Sequence, residues 1–518
     1  MAAIWWRRKW YKICYNLLEI GRRQRKEDYL QLRKQKRHEY IFKKRREGCY
    51  NDTCQEIKTL VEDIPMVAHK LWSDDPDELV EGTTQIRKIL SRFYVDPPFD
   101  EVILAGVVPK FVEFLTRDDL PELQWQAASI LAYMVWAKSE QTRVVIEFGA
   151  IPMLLRILIS CTSSYHIKNE AAWVLGNISM DSLAARDLIL DHGGLIPLAS
   201  LLSSPQISDV FTIVPWTLAN LCRKPSPPFQ KIKPLLPVLI DLIVMPDEKV
   251  VRDACCALSC LSEGSDEMIE AIIKAGFIPR LVALLMHQSA EYAEPALRTI
   301  GNIVCGSTAQ AQAVIDNRVL HCFYLLLTAV CHDTTMISEI CWIISNITTD
   351  TTTQLEAVID ADLIRPLVRL TRAEFPIKKE AAWAISNACM LGTTEQIQML
   401  VNSDCIIALC DLLSCSDLEV VVFCLEALEN ILSVAELEEY YLVIDGPNLH
   451  AQLMHQCGGW DKILNLLTNG NLQIFERSTQ MLLRFWSEDF DVFCQNSRHY
   501  RSFSFGTKVP FAFIISPN

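Results

Sequence analysis

The chain has 518 residues, half of them hydrophobic and only 18 of them Gly, which supports a large buried core and argues against a disordered or Gly-rich β architecture. Its net charge of −14 hides an asymmetry: residues 1–50 carry 16 Lys and Arg against 5 Asp and Glu, while the remainder carries 33 against 58. The acidic body repels phosphate and so argues against a direct nucleic-acid role for the whole chain, and no stretch is free of charges for long enough to predict membrane insertion.

In chain order, Met1-Ala-Ala-Ile-Trp-Trp-Arg-Arg-Lys-Trp10 interleaves aromatic and basic residues and fits a cleaved signal poorly. Residues 1–50 then form a basic arm with three clusters: Arg22, Arg23, Arg25 and Lys26; Arg33, Lys34, Lys36 and Arg37; and Lys43, Lys44, Arg45 and Arg46. Strong helix formers between Glu27 and Lys44 predict a basic helix that orders on an acidic partner; a solvated tail and a nucleic-acid arm are the other readings. Residues 51–74 read as a linker, 75–485 as repeats, and 486–518 as a tail with no assigned role.

The repeat has a period near 42 residues. Its clearest copies are Asn169-Glu-Ala-Ala-Trp-Val-Leu-Gly-Asn177, Ile213-Val-Pro-Trp-Thr-Leu-Ala-Asn220, Ser338-Glu-Ile-Cys-Trp-Ile-Ile-Ser-Asn346 and Lys379-Glu-Ala-Ala-Trp-Ala-Ile-Ser-Asn387, each with Trp and Asn four residues apart. The frame runs Ser129, Trp173, Trp216, Cys256, Arg298, Trp342, Trp383 and Glu426, with gaps of 44, 43, 40, 42, 44, 41 and 43. Between copies, Gly149, Gly276 or Asp362 marks a helix end and a following Pro helps open the next helix. This period, with two or three helices per unit, is the signature of armadillo or HEAT solenoids. The expected fold is an all-α armadillo-repeat right-handed superhelix, a solenoid of about ten repeats carrying a basic N-terminal arm.

At helical spacing, Glu170/Trp173/Asn177, Glu339/Trp342/Asn346 and Glu380/Trp383/Asn387 form stripes of acid, indole and amide. Such a ladder suits an extended basic peptide: Asn pairs with backbone, indoles flank Lys or Arg methylenes, and carboxylates neutralise the heads. For any single Trp, burial in the core is the commoner role.

The 19 Cys are scattered, often inside apolar helical patterns, and imply a reducing compartment. The close pairs Cys49/Cys54 and Cys410/Cys415 lack a second ligand pair at zinc spacing, so free thiols and no metal are expected. There is no phosphate loop, His-Glu-x-x-His or Gly-x-Ser-x-Gly motif, so neither catalytic residues nor a cofactor are expected.

Ile377-Lys-Lys-Glu-Ala-Ala-Trp-Ala-Ile-Ser-Asn387 and Cys424-Leu-Glu-Ala-Leu-Glu-Asn430 closely resemble importin alpha, and plant members most. The resemblance implies a non-enzymatic adaptor that moves between cytoplasm and nucleus. Its partners would be importin beta, bound by the three basic clusters, proteins carrying Lys/Arg-rich nuclear localisation signals, and an export receptor. It places a major peptide groove on Thr142, Trp173, Asn177, Asp181, Trp216 and Asn220, and a minor one on Asn302, Glu339, Trp342, Asn346, Glu380, Trp383 and Asn387. Lys43 to Arg46 resembles a localisation signal able to lie in the chain's own groove. The chain departs from the family where Ser129, Tyr133 and Ala137 replace Trp, Asn and Gly, and where Thr308 replaces an acid; Arg298 resembles the family's groove-dividing Arg. The runner-up is an armadillo scaffold for other extended peptides, for which a Lys/Arg-lined groove would be expected.

Overall fold

The computed structural model describes residues 61–93, 97–203, 210–287, 290–329, 333–442 and 448–496. The arm clusters, Cys49 and Cys54 lie outside them. Among the described residues the ordered structure is helical, without a strand. Among the described residues ten longer helices recur, the eight frame positions falling on the second to the ninth: α1 (Pro76–Arg92), α2 (Pro121–Ala137), α3 (Tyr165–Asp181), α4 (Val210–Leu221), α5 (Glu248–Ser262), α6 (Ala290–Val304), α7 (Thr334–Ile347), α8 (Ile377–Leu391), α9 (Leu418–Leu442) and α10 (Leu472–Phe485). Shorter helices fill the intervals, as with Ser139–Glu147 and Ala150–Ile159 between α2 and α3. This is the armadillo solenoid that the period predicts.

Local signals explain the breaks. Ser164 caps α3 by accepting from the Ile167 amide, Asp247 caps α5 from Lys249 and Val250, and Ser307/Gln310 and Thr393/Gln396 form capping boxes. Between the short helices the chain turns through the left-handed region at Gly149 and Gly276. Asp362 makes the same turn with φ 53°, which a short polar side chain tolerates.

The chain divides into two compact units, Met1–Leu221 and Cys222–Asn518. In the first, α1 packs on α2, α2 on α3 and α3 on α4, burying Leu131, Leu175 and Leu218. In the second, α5 packs on α6, and each long helix on the next through α10, burying Leu258, Ile300, Ile344, Ile385, Leu425 and Leu482. Each unit aligns one frame position after another along its stacked helices, and this alignment positions the candidate site. A second tie joins the short helices of the second unit: the Gln354 amide donates to the Thr308 carbonyl at 3.0 Å and that of Gln396 to Thr352 at 2.9 Å.

Candidate functional site

In the first unit, α3 and α4 approach so closely at Gly176 that a Cβ there would lie 2.1 Å from Cζ3 of Trp216 and 2.5 Å from Oγ1 of Thr217. Two hydrogen bonds fix the crossing: the Thr217 hydroxyl donates to the Ala172 carbonyl at 3.1 Å, and the Asn220 amide donates to the Gly176 carbonyl at 3.3 Å. Trp216 is therefore a wedge, 7% exposed, whereas Trp173 is half-buried. Asn177 is 4% exposed, yet its Nδ2 finds no acceptor among the described residues, and neither does the buried Nε1 of Trp173. Buried donors of this kind are costly unless a ligand or water accepts from them.

At the end of α3, Asp181 accepts a 2.7 Å hydrogen bond from Ser139, 42 residues earlier. Thr142, expected in the major groove, is buried and donates to the Val135 carbonyl at 3.2 Å, closing the turn after α2. Ser139 is the hydroxyl beside the carboxylate.

The start of the ladder differs in kind. Ser129 is buried and Tyr133 half-buried. One turn earlier Trp125 stacks on His166, ring centroids 5.2 Å apart, and Arg87 of α1 sits over its ring at 5.0 Å while donating to Gln126. The protein's own guanidinium thus covers an indole face here. Neutral Gln126 stands three residues before Ser129, where Glu170 precedes Trp173.

In the second unit the same geometry recurs. A Cβ at Gly301 of α6 would lie 2.7 Å from Cζ3 of Trp342 on α7. Asn302 donates to the Ser262 hydroxyl at 2.8 Å and Asn387 to the Ser345 carbonyl at 3.1 Å, while Asn346 bonds back to the Trp342 carbonyl at 2.8 Å. Trp342 and Trp383 are 6% and 8% exposed, and Trp383 packs edge-on to Phe423 with centroids 4.9 Å apart. Trp216, Trp342 and Trp383 thus take the commoner role of a Trp and are buried. Trp216 and Trp342 pack against a glycine of the preceding long helix, and Trp383 against Phe423 of the following one.

The acids are not equivalent either. Glu339 is half-buried and faces Arg298, Nε to Oε1 3.9 Å. Burial pushes the neighbouring Glu294 carboxyl above its ordinary value, with Arg298 opposing. Glu380 is buried on α8. Beyond it the ladder ends in internal ion pairs: Lys379 with Asp417 and Glu419 at 3.0 and 2.7 Å, and Arg477 with Glu426 and Glu429 at 3.1 and 2.8 Å. Cys410 is buried and Cys415 half-buried, both as free thiols, and no cluster able to hold a metal occurs among the described residues.

Comparison with known proteins decides the family. The model described as importin beta binding domain matches residues 7–84, and that of the armadillo/beta-catenin-like repeat matches 138–180, 265–305, 352–390 and 393–433. Importin subunit alpha-4 of Arabidopsis thaliana is 44% identical over 498 residues, covering 93% of this chain and 92% of that protein. Importin subunit alpha-1a of Oryza sativa subsp. japonica is 44% identical over 493 residues, covering 94% and 93%. The chain belongs to the importin alpha family. An engineered protein of known crystal structure superposes with a TM-score of 0.68 at 27% identity, covering 81% of this chain and 98% of its own. Within the importin alpha frame, the structure adds residues that the Trp-Asn spacing does not single out. These are the small residues before each Asn, Gly176 and Gly301 among them, and the hydroxyl–carboxylate pairs Ser139–Asp181 and Thr308–Asp350. The small residue stands beside each Asn in the sequence, but what it and each carboxylate meet lies about one repeat away.

Proposed function

We propose that this chain is a nuclear import adaptor that holds Lys/Arg-rich localisation signals on its two ladders and joins them to importin beta through its N-terminal segment. The observation that carries the reading is the pairing, in one chain, of an importin-beta-binding segment with buried or half-buried amides and indoles that recur with a period near 42 residues. Asn177, Asn220, Asn302, Asn346 and Asn387 supply the amides; where the scaffold uses an Asn nitrogen, the carbonyl oxygen remains to accept from a peptide N–H. Trp173 offers the largest indole face, and the edges of Trp216, Trp342 and Trp383 confine methylenes. Asp181, Glu170 and Glu380 supply negative charge.

Thr142 belongs to this reading as a support of the groove turn. Arg22 to Arg46 form the importin-beta-binding surface, and Lys43 to Arg46 compete with cargo for the ladder. The protein shuttles between cytoplasm and nucleus, and an export receptor returns it. The test is co-purification of full-length protein with importin beta and a basic signal peptide. Retention of both supports the reading, and failure to bind either refutes it.

A further inference from the structure

Thr308 stands where the family resemblance leads one to expect a carboxylate, which would leave the second ladder short of one anchor. The structure supplies another at the adjoining position. Thr308 Oγ1 donates to Asp350 Oδ1 at 3.0 Å, across 42 residues. This contact repeats Ser139 to Asp181, also 42 residues apart, in the same frame: Asp350 follows Asn346 by four, as Asp181 follows Asn177.

We infer that Asp350, held by Thr308, is a specificity-determining residue of the second ladder that anchors one Lys or Arg head of the bound peptide, as Asp181 with Ser139 does in the first; this rests on the proposed peptide-binding function. Three observations carry it. First, the carboxylate is fixed before any ligand arrives. The hydroxyl of Thr308 holds Oδ1 while the carbonyl of Thr308 accepts from Gln354 at 3.0 Å, so segments 308 and 350–354 grip each other reciprocally. Oδ2 is left for a second donor. Second, Asp350 has no ion-pair partner among the described residues, and neither has Asp181. Several acids along the long helices are instead paired from within: Glu426 and Glu429 with Arg477, Asp417 and Glu419 with Lys379, and Glu436 with Arg484. Third, the Thr308–Asp350 contact lies at the surface and Asp350 is only half-buried, so an external cation can reach the carboxylate.

The experiment uses the full-length chain and a fluorescent peptide with five consecutive Lys or Arg residues, read by anisotropy at two salt concentrations. In a Trp173→Ala/Trp216→Ala background, where the second ladder carries the binding, Asp350→Asn is expected to weaken affinity about three- to ten-fold and to flatten the salt dependence, with unchanged melting. Replacing one particular peptide Lys by norleucine should abolish the affinity difference that Asp350→Asn makes in this background, which a merely structural role would not produce. Equal affinity with and without the Asp350→Asn substitution overturns the inference while leaving the peptide-binding reading intact. Loss of all binding in the background also overturns it and assigns cargo to the first ladder. Failure of the unsubstituted chain to bind any basic peptide overturns both.

Discussion

Gly176→Ala adds a single methyl group where α3 and α4 touch. The new Cβ would lie 2.1 Å from Cζ3 and 2.8 Å from Cε3 of Trp216, and 2.5 Å from Oγ1 of Thr217. The indole must move, because the atoms in the way are the ring of a wedged side chain and a hydroxyl already bonded to Ala172 and Ile213. Overpacking of this kind costs about 1–3 kcal/mol, offset by roughly 0.5–1 kcal/mol from the better helix propensity of Ala. A net loss of about 1–2 kcal/mol lowers the melting temperature by roughly 2–8 °C in a unit of this size. Displacing Trp216 also disturbs an edge that confines the methylenes of a basic side chain, about 0.8 kcal/mol per methylene or roughly 4-fold in affinity. Thermal denaturation followed by circular dichroism and anisotropy with a basic peptide read the two effects on one sample. Unchanged melting together with unchanged affinity would refute the claim that a side-chain-free position seats Trp216.

Deleting residues 1–50 should abolish importin beta binding while the helical circular dichroism of the repeats is retained; equal binding by the truncated chain would contradict the assignment of Arg22 to Arg46. The same deletion should tighten binding of a basic peptide, because a tethered competitor at an effective concentration of order millimolar is removed; unchanged affinity, measured by anisotropy, would exclude self-occupancy. Trp342→Ala should lower stability by about 3–5 kcal/mol in urea titration and Trp173→Ala clearly less, since only the former is nearly fully buried. Comparing the ladders by Asn302→Ala/Asn387→Ala against Asn177→Ala/Asn220→Ala avoids that cost; the first pair should lose more peptide affinity, because Arg87 and Gln126 close the start of the first ladder, and the opposite order in a peptide titration would contradict this.

The helical solenoid was legible because each repeat carries its own start, stop and apolar face, so the Trp-Asn copies stayed in frame even at Cys256 and Glu426. The pairing of indole and amide was legible for the same reason: a spacing of four lies within one helix. What could not be read depends on the neighbouring repeat. The seat of Trp216 is visible only with Gly176 of the preceding long helix beneath it. The Arg298 that faces Glu339 likewise comes from the preceding long helix. Thr308 read as a loss because its partner, Asp350, follows it by a whole repeat. Charge arithmetic identified the basic arm as separate from the acidic body, and its matching segment extends from residue 7 to residue 84, into α1.

The central claim is that one chain joins a basic signal to importin beta. Its most direct test is size-exclusion chromatography of the full-length chain mixed with importin beta and a fluorescent Lys/Arg-rich peptide. The account predicts a single earlier-eluting peak containing all three components, with peptide fluorescence lost from that peak when Asn177, Asn220, Asn302 and Asn387 are together replaced by Ala. A peak of importin beta and chain whose peptide content is indifferent to those four substitutions, or no shared peak at all, would contradict it.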